Sequence, residues 1–197
     1  HEVNNVPEDE IENSNPDLKN ILLLLLKRKN IDFSHYKMNT IKRRMLRRML
    51  IHKIKTIIQY AELLGQSNDE VDLLYQDLLI NVTGFFRDTE AFMLLKKSVL
   101  PRLLKNKTKD ETLRIWVAAC STGEEVYSIA MLLLELQEKS NYKIPFQIFA
   151  SDLSSMAIND ARIGEYSVQQ LKNVSPKRLQ QFFIKSKEKY RISKALR

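Results

Sequence analysis

Residues 113–128 begin with the apolar run Leu113-Arg114-Ile115-Trp116-Val117-Ala118-Ala119 and continue through Cys120-Ser121-Thr122. Gly123, Glu124 and Glu125 then lead without a break into Val126-Tyr127-Ser128 and the helical pattern of 129–136. The period changes from that of a buried strand to that of a helix across a turn of small residues, so the stretch is a strand, a tight loop and a helix. In a parallel α/β sheet such a loop lies at the carboxyl end of a strand, where these sheets bind ligands.

The character of the ligand follows from what the loop contains. Neither GxGxxG nor GxxxxGK[ST] occurs, and the paired carboxylates of Glu124 and Glu125 at the helix start repel a phosphate that would otherwise favour that position. A ligand carrying positive charge suits the loop better. After Pro145 a second apolar run, 146–150, ends at Ser151-Asp152, and either Ser154 or Ser155 can cap a short helix that Gly164 terminates. An acid at the end of the second strand of a nucleotide-type fold accepts hydrogen bonds from ribose hydroxyls. Asp152 has that position, though Asp is also a good helix cap, and one residue does not separate the two roles.

Upstream the pattern is helical, with helices expected near 17–28, 39–52, 54–65, 69–79 and 88–105, read together as a bundle. Pro16 and Asp17 start the first, and Asn30 to Phe33 break after it. Ser67 to Glu70 resembles a capping box. The second helix and its exit carry Lys42, Arg43, Arg44, Arg47, Arg48, Lys53 and Lys55 with no acid between Thr40 and Thr56. Ile41, Met45 and Met49 recur at helical spacing, with Leu46 and Leu50 to the side, so the stripe can pack while the cations face outward. A solvated face explains most charge runs. Here no i,i+4 acid relieves the repulsion, which favours an acidic docking surface involving Arg43, Arg44, Arg47 and Arg48. No aromatic residue is interleaved with these cations and no nucleic-acid motif accompanies them, so nucleic acid is not expected as a partner.

Between the bundle and the strand, Asn81-Val82-Thr83-Gly84-Phe85-Phe86-Arg87-Asp88 interrupts the helical pattern. It reads as a loop plugged by two Phe, with Asn81, Thr83 and Arg87 as a compact polar set and Asp88 capping the next helix. Residues 1–16 are acidic, with two Pro and no Lys or Arg, as expected of a linker; 106–112 form a second, polar linker. The Ile21–Leu26 run is too short to cross a bilayer, so no membrane insertion is expected. One Cys makes no internal disulfide, and a cytoplasmic location is the simpler expectation. The net charge of +8 favours an acidic partner. Nothing in the sequence points to a metal site.

Taken together, the blocks 81–88, 114–128, Phe149-Ala150-Ser151-Asp152-Leu153 and Ala161-Arg162-Ile163-Gly164-Glu165-Tyr166 resemble, in order and spacing, the chemotaxis-receptor glutamate methyltransferases of the CheR family. The basic helix after 32–37 is similar to that family's amino-terminal helical domain. The resemblance implies an α/β protein in which an all-α bundle over 17–105 precedes the first part of a Rossmann-like (class I) methyltransferase domain over 113–197. It implies transfer of a methyl group from S-adenosylmethionine, leaving S-adenosylhomocysteine, to glutamates on the cytoplasmic helices of chemoreceptors. By resemblance, Asn81, Thr83, Arg87, Ala118, Glu124 and Asp152 line the cofactor pocket. Asp152 is then assigned to the ribose, Glu124 to the methionine ammonium, and Arg87 to the reacting end as the catalytic residue. A substrate carboxylate is already nucleophilic at neutral pH, so alignment beside a cation can supply catalysis. Tyr127 and Tyr166 are assigned to packing.

The sequence departs from the family at its carboxyl end, where further strands and an Asn-centred segment are expected but do not appear. The chain is therefore expected to have an incompletely covered sheet and weak activity by itself, and to resemble the methyltransferase part of a larger methylesterase and sensor fusion. The reading from another class is a non-catalytic cofactor-binding or docking module. Receptor identity and oligomeric state stay open.

Overall fold

The computed structural model describes residues 15–79, 82–108, 110–138 and 144–197. The expected linker over 1–16 lies almost wholly outside the described residues, and so does Asn81. The chain divides into two compact units at 80/81. This corrects the expected boundary near 105, because the helical stretch after Asp88 belongs to the second unit. Its Leu100 is buried in that unit's core, and Phe92, Leu95 and Leu104 pack against it.

The first unit consists of α1 (Pro16–Lys29), α2 (Met38–Ile51), α3 (Ile57–Gln66) and α4 (Asn68–Leu78). Asn15 caps α1 by accepting from the Asp17 N–H, Pro16 occupies the first turn, and Lys27, Arg28 and Lys29 sit at the negative end of the helix dipole. Asn30 ends the helix in the left-handed conformation at φ 55°, as the break in the sequence anticipated. Each helix gives one stripe to a common core: Leu18, Ile21 and Leu25 from α1, Ile41, Met45 and Met49 from α2, Tyr60 and Leu64 from α3, Val71, Leu74 and Leu78 from α4. Ser67 accepts from the Glu70 N–H at 3.2 Å, which is half of the expected capping box. The Glu70 carboxylate does not return to Ser67; it goes to α2 and α3 instead.

In the second unit α5 (Thr89–Leu94) and α6 (Leu100–Lys105) flank one π-helical turn, Leu95–Val99, where the sequence predicted a single helix. Pro101 has no N–H and its ring crowds the carbonyl four residues back, so the ladder widens and the Leu100 N–H reaches Leu95 O. β1 (Leu113–Ala118) and β2 (Phe146–Ser151) pair in parallel, from Leu113 opposite Phe146 to Ala118 opposite Ser151, and α7 (Glu124–Glu138) makes the crossover. Ser154 is the residue that caps α8 (Ser155–Ile163), and Gly164 closes it at φ 63°. A small antiparallel sheet follows in the order β3-β5-β4: β3 (Glu165–Ser167), β5 (Lys189–Ile192) and β4 (Phe183–Ser186), with α9 (Pro176–Phe182) leading into β4. Leu113 and Val117 are buried in the unit's core. On β1 Trp116 is 71% exposed, and Phe149 opposite it is 49% exposed, so among the described residues one face of the parallel sheet is uncovered.

Candidate functional site

The site is built where β1 and β2 end. Beyond Ala118 the chain winds through Ala119 (φ 55°), Ser121 (φ 48°) and Gly123 (φ 92°), three left-handed residues in five. Such conformations are costly without glycine and persist where the surroundings over-determine them. Here the surroundings are specific. The Cys120 N–H donates to Ser151 O at 3.0 Å and the Ser121 N–H to Asp152 Oδ2 at 2.8 Å, so the end of β2 holds the loop after β1. Asp152 Oδ1 accepts from the Ser154 N–H at 2.8 Å. Asp152 therefore braces two loops, and the cap itself is Ser154. Gly123 is required: a Cβ there would lie 2.9 Å from the Ala161 Cβ and 3.2 Å from the Tyr166 hydroxyl oxygen.

Glu124 opens α7 with only 2% of its surface exposed. Its carboxylate accepts from the Thr122 hydroxyl at 2.6 Å, and among the described residues it forms no ion pair. A buried carboxylate normally has a cationic partner. The neighbourhood is anionic as a whole: burial pushes the Cys120 thiol upward, and the carboxylates of Asp152, Glu125 and Glu124 push it further. This is an environment for a cationic ligand.

Two struts tie the 82–88 loop to this cluster. Phe85 is fully buried and meets Tyr166 edge to face at 4.8 Å between centroids, and Tyr166 donates its hydroxyl to Thr122 O at 2.7 Å. Burial, with Glu124 nearby, raises the Tyr166 phenol, keeping it a donor. The second strut is Ser128, whose Oγ accepts from the Phe86 N–H at 3.1 Å and donates to Glu124 O at 2.6 Å. Arg87 is exposed and closes its own loop through Nη1 to Val82 O at 2.5 Å, and Thr83 is half-buried. The structure thus brings Ala118, Glu124 and Asp152 to one strand-end cluster and fastens the loop bearing Thr83 and Arg87 to it. Tyr127 donates to Ala161 O at 2.7 Å, so both tyrosines are holding groups. Sequence reasoning missed Ser128; its only signal was one turn of helix between it and Glu124. A cavity of about 640 Å³ opens beside the same loop, lined by Cys120, Gly123 and Tyr127 together with Phe146, Ile148 and Ile158, and none of the expected cofactor residues is among its lining.

The basic helix of the first unit needs correction. Arg43 and Arg47 are exposed; Arg44 is half-buried, and its Nε is shielded from water with no hydrogen-bond partner among the described residues. Arg48 faces inward at 9% exposure, donating from Nε to Glu70 Oε1 at 3.0 Å and from Nη2 to Glu70 Oε2 at 2.5 Å. Tyr60 donates to Glu70 Oε1 at 2.8 Å, and His52 Nε2 lies 2.7 Å from Oε2. Burial raises the Glu70 carboxyl, yet the hydrogen bonds from Arg48, Tyr60 and His52 outweigh it and hold the group below its ordinary value. Arg48 stands seven residues after Ile41 and three after Met45, on the buried arc of α2, so it braces the bundle and offers no docking surface.

A Listeria monocytogenes protein named chemotaxis protein methyltransferase is 34% identical over 162 residues, which is 82% of this chain and 60% of that protein. The Escherichia coli protein of the same name is 30% identical over 174 residues, 87% of this chain and 58% of its own length. An uncharacterized 104.1 kDa protein of Rhodobacter capsulatus, named for the hypE 3' region, is 34% identical over 167 residues, 85% of this chain and 18% of that protein. The chain thus spans about three fifths of the chemotaxis relatives. Residues 16–79 match the all-alpha domain of the CheR methyltransferases and residues 81–197 match their SAM-binding domain, and the chain belongs to the CheR methyltransferase family.

Proposed function

We propose that this chain binds S-adenosylmethionine at the ends of β1 and β2 and serves methylation of glutamate side chains on the acidic helical surface of chemoreceptor cytoplasmic domains. The observation that carries the reading is Glu124, a carboxylate 2% exposed at a helix start with no ion pair among the described residues. The cofactor's ammonium and sulfonium are the cations that such a group, beside Asp152 and Glu125, would hold. When bound, S-adenosylmethionine supplies an electrophilic methyl group that a substrate carboxylate oxygen takes while the carbon–sulfur electron pair returns to sulfur, leaving S-adenosylhomocysteine.

The chain's own residues then have distinct tasks. Asp152 has lone pairs left after its two backbone hydrogen bonds and accepts from the ribose hydroxyls. Glu124 faces the ammonium. Thr83 and Ala118 complete the wall, and Asn81, outside the described residues, is assigned to it by the family resemblance alone. Arg87, the catalytic residue in this reading, releases Val82 O and orients the incoming glutamate by its fixed fork of donors. No general base is needed, because a carboxylate is ionised at neutral pH. The exposed Arg43 and Arg47, with Arg44 beside them, supply the attraction to an acidic receptor surface. The length of the relatives and the uncovered Trp116 face support weak turnover by this chain alone, and the 104.1 kDa relative supports the larger-fusion reading.

Calorimetric titration with S-adenosylhomocysteine, followed by methyl transfer to a receptor cytoplasmic fragment, tests the proposal. Binding that Glu124→Gln weakens more than tenfold is expected, because the ammonium loses its counter-charge. Wild-type titration without heat or saturation sinks the cofactor reading. Cofactor binding with no methyl transfer, even when the chain is fused to the remaining length of a relative, would favour the docking-module alternative.

A further inference from the structure

We infer that Ser128 is a positioning residue that sets the Thr83–Arg87 loop against the cofactor carboxylate Glu124; this rests on the cofactor reading above. Ser128 lies one turn into α7 with no exposed surface. Its hydroxyl is spent on two backbones at once, accepting from the Phe86 N–H at 3.1 Å and donating to Glu124 O at 2.6 Å. A single rotor with both roles fixed allows one separation between the loop and the first turn of α7.

Phe86 makes the position sensitive. Its backbone is left-handed at φ 49°, an uncommon conformation for a bulky residue, and the residue is 6% exposed. The ring is held from another side by the Arg178 guanidinium, 4.0 Å from its centroid, which in turn pairs through Nε with Glu135 at 2.5 Å. Ring packing alone fixes where Phe86 sits. The hydrogen bond to Ser128 fixes how its peptide is turned, and that sets the direction in which the chain leaves toward Arg87. Without it the buried Phe86 N–H has lost its partner, and the peptide can rotate out of the strained conformation. Ser128 has no path of this kind to Asp152, which is braced by the Ser121 and Ser154 N–H groups.

The test is amide NMR of this chain titrated with S-adenosylhomocysteine, for the wild type, Ser128→Ala and Ser128→Thr. In the wild type the amides of Thr83, Arg87, Glu124 and Asp152 shift together. In Ser128→Ala the Asp152 shift survives, the Thr83 and Arg87 shifts are lost, and affinity falls about tenfold, the effect expected of one hydrogen bond. Ser128→Thr keeps a hydroxyl that can bond back along a helix, and it restores the Thr83 and Arg87 shifts. Wild-type affinity and shifts in Ser128→Ala overturn the inference, and so does an equal loss at all four amides, which is what a merely structural role predicts. If Ser128→Ala does not fold, Ser128→Thr and Ser128→Cys decide: the inference requires Thr83 and Arg87 shifts near wild type in the first and selectively weakened in the second. Absence of shifts at every amide in the wild type removes the cofactor reading and this inference with it, a pattern distinct from the selective loss.

Discussion

The Ser121 N–H donates to Asp152 Oδ2 across 2.8 Å, so the loop that ends one strand is pinned by the side chain that ends its neighbour. Parallel pairing puts Ala118 opposite Ser151 and delivers the two loops to the same edge. The anionic character of the site follows from this convergence, because Glu124 and Asp152 lie 28 positions apart in the chain.

Replacing Asp152 with Ala leaves the Ser121 and Ser154 N–H groups without their carboxylate acceptor. Stability should fall by about 1–3 kcal/mol, as for a lost acceptor of partly buried donors. Asp152→Asn keeps one acceptor oxygen and should cost less stability while still weakening S-adenosylhomocysteine. Urea denaturation beside calorimetry separates the two effects; equal stability of wild type and Asp152→Ala would contradict the bracing role.

At Gly123 an added methyl group meets the Ala161 Cβ at 2.9 Å, and the φ of 92° is unfavourable for any side chain. Gly123→Ala should destabilise the chain by at least about 2 kcal/mol. Gly65, where a Cβ would meet nothing within 4 Å, is the control: Gly65→Ala lies in helix α3 and should be neutral or stabilising. Thermal melts of the two variants read the contrast directly.

Arg48→Ala strands Glu70 in the core and should cost about 3 kcal/mol. Arg43→Ala and Arg47→Ala, on the exposed side of the same helix, should change stability by no more than about 0.5 kcal/mol and should weaken binding to an acidic receptor fragment in a salt-dependent way. Denaturant midpoints for the three variants, with binding measured at two salt concentrations for the exposed pair, check both halves.

The pH dependence follows from Glu70. Its folded value lies below the ordinary 4.5, so the folded state binds fewer protons and the contribution is fully present above that value. It is lost as pH falls from 4.5 through the lowered folded value. Stability measured from pH 7 to pH 3 should decline in that window, and Glu70→Gln should flatten the decline. A flat profile for the wild type would contradict the assignment.

Trp116 is the chain's one tryptophan, and its indole is 71% exposed while its Nε1 donates to Ser151 Oγ at 3.1 Å. Emission from this chain should be that of a water-exposed indole and should be readily quenched by acrylamide. A blue-shifted, protected emission would mean that the face is covered in solution.

Much of the fold was legible because it is written in short-range patterns. The stripe of Ile41, Met45 and Met49 and the arrest of α8 at Gly164 depend only on neighbours a turn or less away. Two expectations failed for a common reason. Arg48 looked like one more outward cation because its partner Glu70 lies 22 residues on, and Glu70 looked like half of a capping box because its own distant partner was invisible. The helix after Asp88 was grouped with the bundle since its period is the same; only the packing of Leu100 into the second core assigns it.

The sequence by itself determined the elements, the strand-loop-helix at 113–128 and its carboxylates, because periodicity, glycine and capping act locally. Only the tertiary structure decided that Glu124 and Asp152 come to one strand-end cluster, which arginine is buried, and that Ser128 and Tyr166 fasten the Arg87 loop to α7 and the turn before it. Those are pairings between distant segments, fixed by which peptide groups and side chains are left to satisfy once the cores have closed.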